Sequence, residues 1–350
     1  MKPGRRKLAG RFSLRAPIAM VCLLAFAVGG CDQPLPSPKQ KGQAPKADTT
    51  KQPLQSVYRK ALENYHAQGV SQIEQALACV QNLQRNLPDF LKTPDDKGLA
   101  DLLAMARHCH KIYQPALALT ASYSALDARL TSLRKRIDSR PITASYVDYL
   151  DGAPTAGIPN DPAQPLDRES LIAEQGLTDQ ADVVLGFEVL LFLLEGEHRY
   201  HPQLPLRTAE DYAAVNEWPD QPNGETLPAS FHPKNRRRLY LQRVIEILEI
   251  DLGLLRDSWK TFVYPTSQDE AQALAFTCVR NWHSVEVSLA ADDIGEVTDR
   301  LMPLLISNDN NDIAHLLKLD SLEGWPKDGA PVDPAILAQS LGQWLVQHNR

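Results

Sequence analysis

Gly-Phe-Glu-Val-Leu-Leu-Phe-Leu-Leu-Glu-Gly is the sequence of residues 186–196. The run is apolar along the length of a short helix, and a glycine stands at each end. Among the apolar residues lies one carboxylate, Glu188, where the pattern predicts burial. Because removing a charge from water is costly, this side chain is expected either to bind a ligand or to pair with a cationic side chain.

The rest of the chain shows helical periodicity. Apolar residues recur at helical spacing in 54–87, 100–137 and 235–260, and no segment of comparable length alternates as a strand does. The sequence therefore predicts an all-α fold of two helical bundles packed side by side. The N-terminal bundle is predicted to span 54–201, and the C-terminal bundle 232–350. Between them, residues 202–231 are rich in Pro, Asn, Asp and Gly and are predicted to be a linker.

The 186–196 run resembles the signature helix of the imelysin family of periplasmic bacterial proteins. The family pattern is Gly-Phe-His-x-x-Glu-(Phe/Tyr)-Leu-Leu-x-Gly. Glu188 stands where the family has His, and Leu191 stands where it has Glu. The matching positions are Gly186, Phe187, Phe192, Leu193, Leu194 and Gly196.

Two other segments are similar to imelysins. The irregular stretch 139–166 resembles the loop that precedes the signature helix, and the long helix at 235–260 resembles the first helix of the second imelysin half. The resemblance implies that residues 54–350 together form one imelysin-like domain.

The family is associated with iron-regulated uptake loci. The resemblance therefore implies a binding or accessory component in iron or metal acquisition, with iron or another divalent cation as ligand. It also implies an envelope or iron-transport protein as partner. A metallopeptidase is one alternative, because founding members were so classed, but the replaced His and Glu count against hydrolysis here. A metal-free interaction scaffold of the envelope is the other alternative.

The candidate metal ligands begin with Glu188. It is expected to line the groove between the bundles as a ligand, or to be a buried carboxylate satisfied by an Arg or Lys, and the residues do not favour either. Leu191 offers no lone pair where the family has its second ligand. Any metal site is therefore rebuilt from other helices or absent, and absence is favoured. His283 and Glu286 form a separate His-x-x-Glu pair, whose spacing places both on one helix face.

Other polar clusters are expected to be solvated. His108 and His110 lie two residues apart on a helix, so their rings point apart, and both are predicted to be exposed. Past the signature helix, a second cluster is predicted to mark a helix end and a solvated turn; it consists of Glu195, Glu197, His198, His201 and Glu210.

Three cysteines follow the N-terminal region. Cys79 and Cys109 can form a disulfide if two antiparallel helices bring them into register. The other interpretation treats them, with Cys278, as unpaired small hydrophobic residues. The second interpretation is slightly favoured, because the facing register is demanding.

The N-terminus reads as an export signal. A basic segment and a short apolar core end in Val28-Gly29-Gly30-Cys31, which resembles a bacterial lipobox. Residues 1–30 are thus predicted to be a lipoprotein signal peptide. Residues 31–53 are predicted to be the lipidated Cys31 and a flexible tether. The alternative is an ordinary signal peptide with a chance cysteine.

The predicted lipid anchor implies that the protein lies on the periplasmic side of a bacterial membrane. Asp32 resembles an inner-membrane retention signal, so the inner membrane is slightly favoured and the outer membrane stays open. The net charge of −6 and the even spread of Lys and Arg argue against nucleic acid as a partner.

Overall fold

The computed structural model describes residues 56–124, 128–218, 227–261, 263–280, 283, 313–323 and 334–348. Across these residues the fold is all-α, as predicted, and the described part contains no strand. The arrangement in two side-by-side bundles stays a prediction. Cys31 and the predicted signal and tether lie outside the described residues, as does the predicted ligand Glu286.

The described helices follow the periodicity of the sequence. They are Ser56–Lys92 (α1), Asp96–Ser124 (α2), Ala128–Ile137 (α3), Ala144–Val147 (α4), Arg168–Glu174 (α5), Phe187–Glu195 (α6), Pro233–Lys260 (α7), residues 268–280 (α8), Ile313–Leu316 (α9) and Pro334–His348 (α10). Short 3-10 turns lie between some of them, at Ile158–Asn160, Gly196–Arg199, Ala209–Tyr212, Ala229–Phe231 and Leu319–Ser321.

Helices α1 and α2 form an antiparallel hairpin that is closed by a short turn. Pro88 lies inside α1, before this turn. The buried side chains of Leu87, Phe90 and Leu91 pack in the core on either side of it, and this packing offsets the backbone hydrogen bond that a proline lacks.

A disulfide joins the two helices of the hairpin. The Cα atoms of Cys79 and Cys109 lie 5.4 Å apart, and their sulfurs are bonded. The interpretation as unpaired cysteines, which the sequence slightly favoured, is therefore wrong for Cys79 and Cys109. Cys278 is buried and takes no part in this disulfide. The facing register follows from the position of the turn, which lies midway between the two cysteines.

Helix α7 crosses both α1 and α3. Where it meets α1, the indole of Trp259 donates a hydrogen bond to His66 O at 3.1 Å. Gly69 makes room for this ring, since a Cβ there would lie 2.2 Å from Trp259 Nε1. Where α7 meets α3, Arg136 donates to both oxygens of the buried Asp251, at 2.7 and 2.8 Å. Elements from both predicted halves thus pack together, while the predicted boundary between bundles stays a prediction.

The irregular stretch after α3 is fixed by the start of α7. Arg236 donates to three backbone carbonyls of that stretch, including those of Ile158 and Pro159. Arg237 donates to both oxygens of Asp148, which is fully buried. The Arg-Arg-Arg opening of α7 therefore holds a long connection in one conformation.

The predicted linker is packed in part. Tyr212 is fully buried, and its hydroxyl donates to Leu193 O in α6. Arg207 is also buried, and its Nη1 lies 3.1 Å from Asp148 Oδ2. Residues 201–218 thus contribute to the surroundings of α6.

Helix α6 is buried along its whole length, as its apolar sequence predicts. The residue before its first turn is Gly186. Gly186 has φ of 97°, and a Cβ there would lie 2.4 Å from Arg136 O. The glycine therefore lets the start of α6 touch the end of α3.

The disulfide is expected to stabilise the fold. Replacing both Cys79 and Cys109 with Ala should lower the free energy of unfolding by about 3 kcal/mol, because the bond closes a loop of 30 residues in the unfolded chain. Denaturant titration measures this loss. As a control, reductant should lower the midpoint of the wild type and leave that of the double variant unchanged. A wild-type midpoint that reductant does not move would contradict the prediction.

Gly186→Ala is expected to destabilise the protein by about 2–4 kcal/mol, because the new methyl group meets backbone oxygens and the φ is unfavourable. The matched control is Gly152→Ala, since no atom lies within 4 Å of that Cβ. It should change stability by less than about 0.5 kcal/mol. Equal stability of the two variants in thermal or chemical unfolding would show that the close approach of α6 to α3 is unnecessary.

Candidate functional site

Glu188 lies in the first turn of α6, at the wall of a cavity of about 410 Å³. Its side chain is 4% exposed, so the carboxylate is almost removed from bulk water. The remaining lining comes from the loop after α3 and the turn after α6, through Arg140, Pro141, Ile142, Arg199 and Tyr200.

Two arginines provide the counter-charge of Glu188. Arg199 donates to Oε2 from Nη2 at 2.7 Å and from Nε at 3.1 Å. Arg140 Nη2 lies 2.6 Å from Oε1, in an ion pair that is not aligned for a hydrogen bond. Of the two readings that the sequence left open for Glu188, the structure displays pairing with arginine.

A histidine and a second carboxylate lie beside Glu188. His110 Nε2 is 3.1 Å from Asp138 Oδ2. One ligand atom from each of His110, Asp138 and Glu188 lies within 4.8 Å of the others, which is close enough to hold one cation. Among the described residues, no other group of three or more His, Cys, Asp and Glu side chains brings its ligand atoms this close together.

The predicted exposure of His110 is wrong. The residue is 5% exposed, and its ring stacks on Phe187 with centroids 5.0 Å apart. His108 is exposed, so the two rings do point apart as expected. The ring of His110 faces α6, and helical periodicity alone does not show which element a helix face packs against.

The burial of these groups is compensated electrostatically. Burial would raise the pKa of the Asp138 carboxyl, but His110, Arg140 and Arg199 outweigh it and hold this pKa below its ordinary value. Burial would lower the pKa of Arg199, and Glu188 reverses the effect and raises it. Burial, followed by the charge of Glu188, raises the pKa of Tyr200 to about 12. Asp138 and Arg199 are therefore charged at neutral pH.

The far end of α6 carries a second buried carboxylate. Glu195 is 4% exposed, and its Oε1 accepts a hydrogen bond from Arg107 Nη2 at 2.6 Å. Arg199 Nη1 lies 3.7 Å from Oε2. The sequence placed Glu195 in a solvated turn, which is wrong, because Glu195 is the last residue of the buried helix α6, and α6 packs against α2.

The other predicted residues of that turn make local contacts. Glu197 accepts from the backbone N–H of Asp151, and His198 Nδ1 lies 2.7 Å from Leu204 O. Glu210 pairs with Lys234, while His201 lies exposed. These side chains do not join the Glu188 cluster.

The remaining predicted site residues are distributed. Leu191 is buried in the core, and Gly196 ends α6 with φ of 73°. His283 lies near α10, since a Cβ at Gly342 would be 3.4 Å from its Nε2. Its predicted partner Glu286 is outside the described residues, so the pair stays a prediction.

The residues of the cluster suit a divalent cation in their chemistry. Imidazole and carboxylate donors are used for iron, manganese and zinc. Asp138 Oδ1 and Glu188 Oε1 are buried and accept no hydrogen bond from the described residues. The opposing feature is the pair of guanidinium groups, which already neutralise the carboxylates. The three side chains are therefore suitable ligands for a divalent cation. The cation would have to compete with the arginines for the carboxylate oxygens.

No protein-family model and no curated protein matches the chain. Within the described residues, no helix has both the length and the apolar character needed to cross a membrane.

Asp138 is expected to contribute to acid sensitivity. Because its pKa is lowered in the fold, its stabilising effect is fully present above the unfolded value of about 3.9 and is lost as pH falls through the folded value. Asp138→Asn should therefore lose less stability than the wild type between pH 7 and pH 3. Urea unfolding across this range measures the difference, and Asp89→Asn on an exposed helix face is the control. If Asp138→Asn and Asp89→Asn lose the same stability between pH 7 and pH 3, Asp138 does not contribute to the acid sensitivity.

Proposed function

We propose that the protein is a lipid-anchored binding component on the periplasmic side of a bacterial membrane that serves iron or metal acquisition. Its cargo is iron or another divalent cation, held by His110, Asp138 and Glu188. The anchor is Cys31, and the partner that receives the cargo is an envelope or iron-transport protein. The similarity of 186–196 to the imelysin signature supports the assignment to acquisition.

One observation carries the proposal. Three side chains from separate elements, α2, the end of α3 and α6, bring their donor atoms within 4.8 Å of one another beside a cavity. A metal site needs several converging ligands, and of these three residues the sequence indicated only Glu188 as a candidate ligand. His110 supplies an imidazole next to the position where Glu188 replaces the histidine of the imelysin pattern. The combination of imidazole and carboxylate is thus kept, although its residues come from other helices.

The charge of the site suits a transient cargo. Asp138 and Glu188 contribute two negative charges, and Arg199 offsets one of them through its two hydrogen bonds to Glu188. Fewer net negative charges give weaker binding of hard cations, since affinity follows ligand charge. A protein that passes its cargo to a transporter requires release as well as capture.

A metal-free envelope scaffold is the second candidate. The observation in its favour is that Arg140 and Arg199 between them face both oxygens of Glu188. In this case the cluster stabilises the fold, and the cavity binds a macromolecular partner. No hydrolytic step is proposed, because the position of the family's second ligand holds the buried Leu191.

Metal titration of the full-length protein separates the two candidates. With Fe²⁺ under anaerobic conditions, Mn²⁺ and Zn²⁺ as probes, calorimetry is expected to show one cation per chain. His110→Ala and Glu188→Gln should each weaken binding by about tenfold or more, since each removes a donor.

The controls are chosen to match. His108→Ala removes an exposed histidine two residues from His110 and should leave the affinity unchanged. His283→Ala tests the separate His-x-x-Glu pair. Two results would refute the cation site and favour the scaffold. One is the absence of cation binding by both the wild type and Arg140→Gln, which removes the arginine facing Glu188 Oε1. The other is cation binding that changes in neither His110→Ala nor Glu188→Gln.

A further inference from the structure

Arg140 is placed where a bound cation would be. Its Nη2 lies 2.6 Å from Glu188 Oε1 and 3.4 Å from His110 Nε2, and its Nε lies 3.9 Å from Asp138 Oδ1. One guanidinium therefore contacts all three side chains of the candidate cation site. A guanidinium and a metal ion compete for the same lone pairs, which are those of the two carboxylates and that of His110 Nε2 in the tautomer protonated at Nδ1. Both therefore cannot occupy this position.

The three contacted groups are covered, and Arg140 is not. The side chains of Asp138, Glu188 and His110 are 3%, 4% and 6% exposed, whereas that of Arg140 is 34% exposed. Asp138 Oδ1 and Glu188 Oε1 are buried from solvent, and they accept no hydrogen bond from the described residues. These oxygens thus face Arg140 without being fully satisfied by it. Moving Arg140 into the adjoining cavity of about 410 Å³ would uncover them.

Arg199 is held differently. It donates two hydrogen bonds to Glu188 Oε2, and its side chain is 16% exposed. Its Nη1 also lies 3.7 Å from Glu195 Oε2, so it bridges both carboxylates of α6. Arg199 therefore has the geometry of a fixed counter-ion, and Arg140 has that of a movable one.

We propose that Arg140 is the resident cation of the His110–Asp138–Glu188 site and that a divalent cation binds by displacing it into the cavity. This inference rests on the proposed function. In the exchange, a single positive charge leaves the three donors and a double positive charge takes its place, while Arg199 stays on Glu188. Arg140 thereby lowers the affinity of the site and returns to the donors when the cargo leaves.

The test is cation affinity of full-length Arg140→Gln, measured by calorimetry with Mn²⁺ and Zn²⁺. The glutamine removes the competing charge and keeps a polar side chain at the cavity wall. Affinity is expected to rise by about tenfold or more over the wild type, because a unit charge next to the donors acts strongly on a divalent cation. Arg140→Lys keeps the charge and should retain an affinity near that of the wild type.

Arg107→Gln is the matched control. It removes one arginine that pairs with a carboxylate of α6, Glu195, at the same 2.6 Å distance, without touching the three donors. It should leave the affinity within about twofold of the wild type, as expected for a charge outside direct contact. A variant that is correctly folded by circular dichroism is required for each comparison.

The outcomes separate the two proposals. If the wild type binds the cations and Arg140→Gln binds them no more tightly, Arg140 is not a competitor, and the cation site itself stands. If neither the wild type nor Arg140→Gln binds a cation, the cation site and the displacement both fail. An equal gain in Arg107→Gln would reduce the effect to general electrostatics and overturn the specific role of Arg140.

Discussion

Helix α6 is buried on every side, so its two carboxylates must have their counter-charges inside the protein. Glu188 at one end is met by Arg140 and Arg199, and Glu195 at the other by Arg107 and again by Arg199. An unpaired carboxylate in this position would destabilise the fold by several kcal/mol. The requirement for these arginines fixes where the loop after α3 and the turn after α6 can lie.

The positions of those segments depend in turn on close backbone contacts. Gly186 lets α6 begin directly against the end of α3, which brings Asp138 to the first turn of α6. Arg236 and Arg237 of α7 hold the long connection before α6 by its carbonyls and by the buried Asp148. The candidate site thus forms because α2, the loop after α3 and the turn after α6 all pack against the buried helix α6.

This origin explains why the cluster has two possible roles. The same ion pairs that stabilise a buried helix place imidazole and carboxylate donors around one point, and an arginine occupies that point. The cluster binds a metal cation only if that cation displaces Arg140 from the three donors. The outcome depends on the difference in binding free energy between the Arg140 guanidinium and the metal cation at these donors. The side chain of Arg140 is more exposed than those of Asp138 and Glu188, so it can move into solvent while the donors stay buried.

The sequence by itself determined the all-α class, the burial of α6 and the extent of α7, because helical periodicity is a local property. It also identified Glu188 as a costly buried charge. The tertiary structure decided that His110 faces inward, that Cys79 meets Cys109, and that Arg140 and Arg199 neutralise Glu188. These outcomes depend on which helix faces are turned toward each other, and no local pattern encodes the pairing of Glu188 with an arginine 48 residues earlier in the chain.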